Sequence, residues 1–366
     1  MLGERFRITL FGESHGPCVG VVIEGCPPGL EINEEIIAKE LSKRAPGGCL
    51  VSSRAEPDRP EILSGVFRGR TTGAPITIIV RNVDVDSEFY EEVKYKPRPG
   101  HADYVAWARY RGFNDYRGGG IFSGRITVGL VAAGAVAKVL LKLHGIRVVS
   151  YVKRIGHVDA SIDPSMDIES LERSALESPV RCPDPRASTA MVELLREVQR
   201  EGDSVGGIVE TIATGLPLGL GEPPMDTLDG DLAKILFAIP AVKGVEFGLG
   251  FELAKMRGSE ANDEWTVLED GGEKRVALAS NKCGGILGGL STGSPLVFRV
   301  VFKPTPTIRR PQRTVDLRTL QSTIIEGRGR HDPCVAVRGA AAVEAATSII
   351  LADHLLRWNS WRGASF

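Results

Sequence analysis

The chain has 366 residues, 42% of them hydrophobic and 25% charged, with a formal net charge of −1. This is enough chain to bury a sizeable core, and its composition excludes a wholly disordered polymer. The near-zero charge leaves no overall basic field to hold nucleic acid or an anionic membrane surface, so neither is an expected partner.

In chain order, RITLF (7–11) reads as a strand, GESHG as a turn and VGVVIEG (19–25) as a second strand. Residues 33–44 read as a helix, with Asn33 as N-cap, Glu34 and Glu35 in the first turn, and Lys43 and Arg44 at the end. Residues 49–60 carry no period and read as a loop, followed by strands at 61–67 and 74–82. The charged stretch 83–100 reads as a loop, and 101–112 begins with a helical turn. A Gly-rich segment (117–125) passes into an apolar helix over 126–144. Its apolar run (126–141) falls short of the roughly 20 residues that span a bilayer and contains Lys138, so a buried core helix is expected.

A strand follows at 146–156, then a polar stretch (157–187), a helix ending on glycine (187–202) and a strand (206–217). Residues 231–244 read as a helix broken at Pro240. Residues 276–308 read as strand, glycine loop, strand and Pro-rich loop; 316–334 as mostly irregular; and 335–358 as a long apolar helix. A Gly/Arg loop feeds an Ala/Val-rich helix at 117–144 and again at 327–357. That echo fits two similar halves with helices inside β layers, and fits equally well two unrelated Ala-rich core helices. There is no short repeat and no clear linker, so one domain over 1–366 is expected.

Cys18, Cys26, Cys49, Cys182, Cys283 and Cys334 form no CxxC pair and no zinc spacing, and reduced thiols are expected. The N-terminal segment carries charges at once and has no secretory apolar run, which points to the cytoplasm. P-loop, GxGxxG and HExxH motifs do not occur.

Five blocks stand out instead. FGESHGPCVG (11–20) sets His15 in a glycine-flanked turn, where an imidazole can give or take a proton near neutrality; the plain alternative is a structural histidine. RPGHADY (98–104) sets Arg98 three residues before His101, within reach of one anion. DYRGGGIFSGR (115–125) precedes a helix, whose N-terminal N–H groups suit an anion; its alternative is close helix–sheet packing. NKCGGILGGLSTGSP (281–295) with FKPTPTI (302–308) allows flat contact with a planar ring. There Lys303, Thr305 and Thr307 offer a charge and hydroxyls; the alternative is a Gly-rich hairpin. EGRGRHDPCVAVRG (326–339) crowds Arg328, Arg330, His331, Asp332 and Arg338 into one loop, a pattern that suits phosphate or carboxylate or else a solvated loop.

In succession FGESHG, RPGHADY, DYRGGG, PAVKGVEFGLGFE, GGILGGLSTG, KPTPTI and GRHDPC resemble the chorismate synthase family, over nearly the whole chain. The resemblance implies an α+β fold, a β-α-α-β sandwich with helices packed between antiparallel sheets, assembled as a homotetramer. It implies a lyase that removes phosphate from 5-enolpyruvylshikimate 3-phosphate by 1,4-anti elimination, giving chorismate with reduced FMN and no net redox change. It leaves open whether NADPH reduces the flavin on the same protein.

By this resemblance Arg44, Arg98, Arg125 and Arg330, and more loosely Arg54, bind the substrate. His15 protonates the departing phosphate, His101 holds the reduced flavin's charge state, and Asp332 helps to take the C6 proton. Flavin contacts fall on Ser123, Ala241, Gly288, Lys303, Thr305, Thr307 and Arg330, with Pro304 and Pro306 fixing the backbone. The chain departs from the common family pattern at Leu50, Ile121, Phe122 and Pro240.

Overall fold

Alternating β-branched residues build the first sheet. Val19, Val21 and Ile23, and Ile76, Ile78 and Val80, are buried on one face, as a period of two requires. These residues belong to β2 (Cys18–Glu24) and β6 (Ile76–Arg81), which pair antiparallel. With β1 (Arg7–Gly12) and β3 (Pro60–Ser64) they form a four-stranded sheet of order β1-β2-β6-β3. A small hairpin, β4 (Val66–Phe67) and β5 (Arg70–Thr71), lies between β3 and β6. The structure is a computed structural model describing residues 1–44, 58–83, 86–163, 165–270, 273–328 and 332–362.

Helix α1 (Glu34–Ser42) starts where the Asn33 side chain accepts the Ile36 N–H. Then come α2 (Glu88–Val93), α3 (Asp103–Arg109) and the apolar α4 (Thr127–Leu143). The second sheet uses β7 (Arg147–Ile155), β8 (Val158–Asp159), β9 (Gly207–Thr214), β10 (Val242–Phe247) and, further on, β15 (Leu296–Phe302). Its order is β10-β15-β9-β7-β8. Between these strands lie α5 (Ile168–Glu177), α6 (Pro185–Arg200), α7 (Leu228–Phe237) and α8 (Gly258–Ala261). So do the hairpins β11 (Trp265–Asp270) with β12 (Glu273–Leu278) and β13 (Ile286–Leu287) with β14 (Leu290–Ser291). A last hairpin, β16 (Pro311–Asp316) with β17 (Gln321–Glu326), precedes α9 (Ala336–Arg362).

Helix α4 packs on the first sheet, α9 on the second, and the two helices pack on each other. The result is the expected α+β sandwich, two helical layers between antiparallel sheets. A Cβ at Gly134 would fall 2.4 Å from the Ala345 Cβ, so a missing side chain lets α4 approach α9 this closely. By length and composition both helices could cross a bilayer, but 72% and 94% of their most apolar windows are buried inside the sandwich, as core helices should be.

Numbered within its own sheet, each four-strand set runs in the order 1-2-4-3: β1-β2-β6-β3 and β7-β9-β15-β10. Each places a helix after its second strand (α1, α7) and a long buried helix after its fourth (α4, α9). The turns match as well. GCPPGL (25–30) corresponds to GLPLGL (215–220), and GVFRGRTTGAP (65–75) to GILGGLSTGSP (285–295). Their φ angles agree position by position: Gly65 80° and Gly285 86°, Arg68 50° and Gly288 58°, Gly73 86° and Gly293 80°. The Thr71 hydroxyl donates to the Pro27 carbonyl and accepts the Leu30 N–H at 2.9 Å. Ser291 repeats this with Pro217 and Leu220. The Gly/Arg echo in the sequence thus belongs to two halves of one repeated ββαββα course.

Several elements differ from the sequence-based expectation. Helix α7 stops at Phe237 and β10 takes the rest of the expected helix; Pro240 cannot continue the helix, and Ala241 turns the chain with φ 73°. Helix α2 lies in the expected loop 83–100 and buries only Tyr90, too little for a visible period. Helix α5 lies in the polar stretch, and α6 begins at Pro185 behind an Asp184 cap. The β16–β17 hairpin lies in a region read largely as irregular, because it is mostly exposed and so lacks an apolar alternation.

Candidate active site

The turn after β1 carries His15, which is almost fully buried. Its Nδ1 lies 2.8 Å from the Ser87 hydroxyl. Its ring meets Tyr90 of α2 edge-on, with centroids 5.2 Å apart. The Arg98 guanidinium lies 5.3 Å from the same Tyr90 ring.

Gly118, Gly119 and Gly120 all have positive φ and bend the chain between the two histidines. A Cβ at Gly118 would lie 2.5 Å from His15 Nε2, and one at Gly119 would lie 3.1 Å from His101 Nε2. The glycine run is therefore the thin wall that both imidazoles approach. Ser14 beside His15 donates its N–H to the Gly120 carbonyl, and its hydroxyl accepts from Ser123 at 3.2 Å. Ile121 and Phe122 stand exposed beyond this turn.

His101 and the buried Arg98 share one carboxylate. Asp103 accepts from Arg98 Nε and Nη2, each at 2.8 Å, and lies 2.6 Å from His101 Nδ1. Burial alone would raise the Asp103 carboxyl. Hydrogen bonds and charge from Arg98 and His101 outweigh burial and hold it well below the ordinary range.

The second half reaches the same place. Arg98 Nη1 donates to the Thr307 hydroxyl at 3.3 Å, and Lys303 Nζ donates to the Gly100 carbonyl. The Lys303 N–H donates to the Ala241 carbonyl at 2.9 Å, which ties the strained Ala241 turn to this loop. Burial, then Lys243, push the Lys303 ammonium below its usual range. Thr305 donates to the Asp332 carbonyl at 2.8 Å, and the Asp332 carboxylate pairs with Arg338 at 3.2 Å.

Arg44 closes the circuit. It pairs with Asp58 at 2.7 Å and donates to the Gly124 carbonyl at 3.3 Å. Arg125 grips the other Asp58 oxygen and donates to Asn82 at 2.8 Å. Burial pushes the Arg44 guanidinium down to about 10; Asp58 opposes this, while neighbouring Arg125 and Arg338 add to it. Arg44 is itself held from below. The carbonyl of Lys43 accepts from Arg181 at 3.0 Å, and Lys43 Nζ pairs at 3.3 Å with Glu344, a carboxylate buried in α9. Burial would raise the Glu344 carboxyl, but Lys138, Lys43 and Arg181 hold it well below its usual range.

Contacts thus connect His15, His101, Arg98, Arg44, Arg125, Ser123, Ala241, Lys303, Thr305, Thr307 and Asp332. Gly288 lies apart from these contacts, on the turn of β13–β14, and a Cβ there would meet open space. Arg54, Arg330 and Leu50 lie outside the described residues. Asp58, Ser87 and Tyr90 escaped the sequence reading because each stands in a stretch without periodicity, and Asn82 because it is the last residue of the strand read at 74–82. Asp103 stood inside the RPGHADY block, where its spacing to Arg98 and His101 was visible. Chemically, the arrangement offers clustered guanidinium groups for anions, two imidazoles for proton transfer and a carboxylate paired with arginine.

Known proteins share this sequence and fold. The chorismate synthase family profile matches residues 6–356. Chorismate synthase of Aeropyrum pernix is 57% identical over 97% of this chain and 92% of its own. That of Thermococcus kodakarensis is 52% identical over 99% of both chains. A crystal structure of chorismate synthase superposes with a TM-score of 0.74 at 32% identity, covering 97% of this chain and 93% of that one. On sequence and fold together, the chain belongs to the chorismate synthase family.

Proposed function

We propose that this chain, a lyase by its family, converts 5-enolpyruvylshikimate 3-phosphate to chorismate and phosphate with the help of reduced FMN. The observation that carries the reading is the meeting of both halves: His15 and His101 abut adjacent glycines of one turn, Arg98 reaches Thr307, Thr305 holds the Asp332 carbonyl, and Arg44 and Arg125 share Asp58. The substrate bears two carboxylates and a phosphate, and removing water from these groups is costly unless cations replace it. Arg44, Arg98 and Arg125 supply such cations, and the reading assigns Arg330 the same role.

In this reading the carbon–oxygen bond to phosphate breaks, a proton leaves C6, and the new double bond takes up the electron pair. His15, held at Nδ1 by Ser87, gives its proton to the departing phosphate. Asp332, paired with Arg338 at 3.2 Å, helps to draw off the C6 proton. Reduced FMN, when bound, would supply electron density to the substrate ring. The donor set fits that group: the Lys303 N–H ties its loop to the Ala241 turn, and the Lys303 ammonium reaches the Gly100 carbonyl beside His101. Thr305 and Thr307 brace Asp332 and Arg98 beside them. Ser123 and Gly288 complete the proposed cradle, with Pro304 and Pro306 stiffening its edge.

The same reading takes the chain as one functional unit, working in the cytoplasm as a homotetramer. Exposed Tyr104, Val105, Trp107, Tyr110 and Phe113 on and after α3 favour assembly, which sedimentation equilibrium would measure. The functional test is anaerobic incubation with photoreduced FMN and 5-enolpyruvylshikimate 3-phosphate. Phosphate and chorismate should appear in equal amounts; no phosphate release would defeat the reading.

A further inference from the structure

Asp103 opens α3, and its carboxylate gathers donors from two side chains and the backbone. Oδ2 accepts the Arg98 N–H at 3.0 Å and Arg98 Nε at 2.8 Å. Oδ1 accepts Arg98 Nη2 at 2.8 Å and lies 2.6 Å from His101 Nδ1. An ionised carboxylate only accepts. At 2.6 Å the proton between Oδ1 and Nδ1 therefore sits on the imidazole. In the neutral ring this leaves the lone pair on Nε2. That edge lies 3.4 Å from Arg98 Nη2, a donor, and faces the glycine turn, where a Cβ at Gly119 would fall 2.9 Å from His101 Cε1 and 3.1 Å from Nε2. The adjoining Gly118 abuts the Nε2 edge of His15.

We propose that Asp103 is a positioning residue: it fixes His101 in the Nδ1–H form, with Nε2 directed at the glycine wall, and clamps Arg98 at the same time. This rests on the reading in which His101 serves the elimination. The physical logic is that of an imidazole whose working nitrogen is chosen by the bond at the other nitrogen. A merely structural Asp103 would hold the 98–103 turn and nothing more; that turn has its own bond, from the His101 N–H to the Arg98 carbonyl at 3.2 Å.

Asp103→Asn separates the two roles. With its amide oxygen at the Oδ2 position it still accepts from the Arg98 N–H and Nε, while its NH2, at the Oδ1 position, gives up the Arg98 Nη2 bond and faces Nδ1, which must then accept, and the ring proton moves to Nε2. The experiment is 15N NMR of the full-length protein labelled at histidine, with the His101 signals assigned through His101→Gln, alongside turnover with reduced FMN. Wild-type His101 should show the Nδ1–H form. Asp103→Asn should show Nε2–H, with kcat down roughly 10- to 100-fold, within the usual worth of acid–base groups, and KM changed less.

Wild-type His101 found as Nε2–H overturns the proposal without any variant. So does an Asp103→Asn protein that keeps both the wild-type tautomer and turnover while His101→Gln is impaired. If His101→Gln turns over normally, the role of His101 itself fails, and the role of Asp103 in the reaction goes with it.

Discussion

The half that closes with α4 and the half that closes with α9 hold their turns in matching conformations, yet they carry different chemistry. In the first, the link between the fourth strand and the long helix runs from Asn82 to Ile126 and contains Arg98, His101 and the three glycines. In the second, the equivalent link runs from Lys303 to Val335 and contains Thr305, Thr307 and Asp332. These two links touch at Arg98–Thr307 and Lys303–Gly100. The repeated part of each half is scaffold. The side chains proposed to react lie mainly where the unequal connections meet, so the proposed site draws on both halves.

The largest expected effect tests this division. His15→Ala and His101→Ala should each lower kcat roughly 100- to 1000-fold while the protein stays folded. Normal turnover in both variants would remove the chemistry from the first half. Next comes the seam between halves. Glu344→Ala leaves Lys43, Lys138 and Arg181 without their shared carboxylate and should cost about 3–5 kcal/mol in urea unfolding. A loss below 1 kcal/mol would mean that packing alone joins α4 to α9.

Two smaller effects sharpen the equivalence. Thr71→Ala and Ser291→Ala each leave a proline carbonyl and a leucine N–H short of a partner, so each should cost about 1–3 kcal/mol. A loss in one half only would break the equivalence. Gly288→Arg copies the arginine that stands at position 68 with nearly the same φ. It should fold at a cost of about 1 kcal/mol and weaken flavin binding at least about tenfold, or 1.4 kcal/mol, as read by flavin fluorescence. Undiminished binding would take Gly288 out of the cofactor site.

The acid limb gives a further check. The folded Asp103 carboxyl titrates below its unfolded value. Its stabilisation is therefore complete above about pH 4 and fades as pH falls through the folded value. Asp103→Asn should flatten the loss of stability in that range, measured by thermal unfolding against pH.

The strands at 7–11, 19–25 and 74–82 were legible because one buried face imposes alternation. The core helices were legible from their unbroken apolar content. Elements that bury one residue, such as α2, or expose most of a hairpin, such as β16–β17, leave no period to read. The pairing of GCPPGL with GLPLGL was present in the letters, but it gains meaning only when the strand orders are compared. His15, His101 and Asp332 were found through motifs. Asp58 and Asn82 were not, since an arginine's partner can come from any loop that folds back to it.

The most direct measurement is a crystal structure of the protein with FMN and 5-enolpyruvylshikimate 3-phosphate bound. The substrate phosphate should lie within hydrogen-bonding distance of His15 and an arginine of the Arg44–Arg125 group, with the flavin between His101 and the Lys303–Thr307 loop. Ligands seated away from the meeting point of the two links, or contacted by one half alone, would contradict the account.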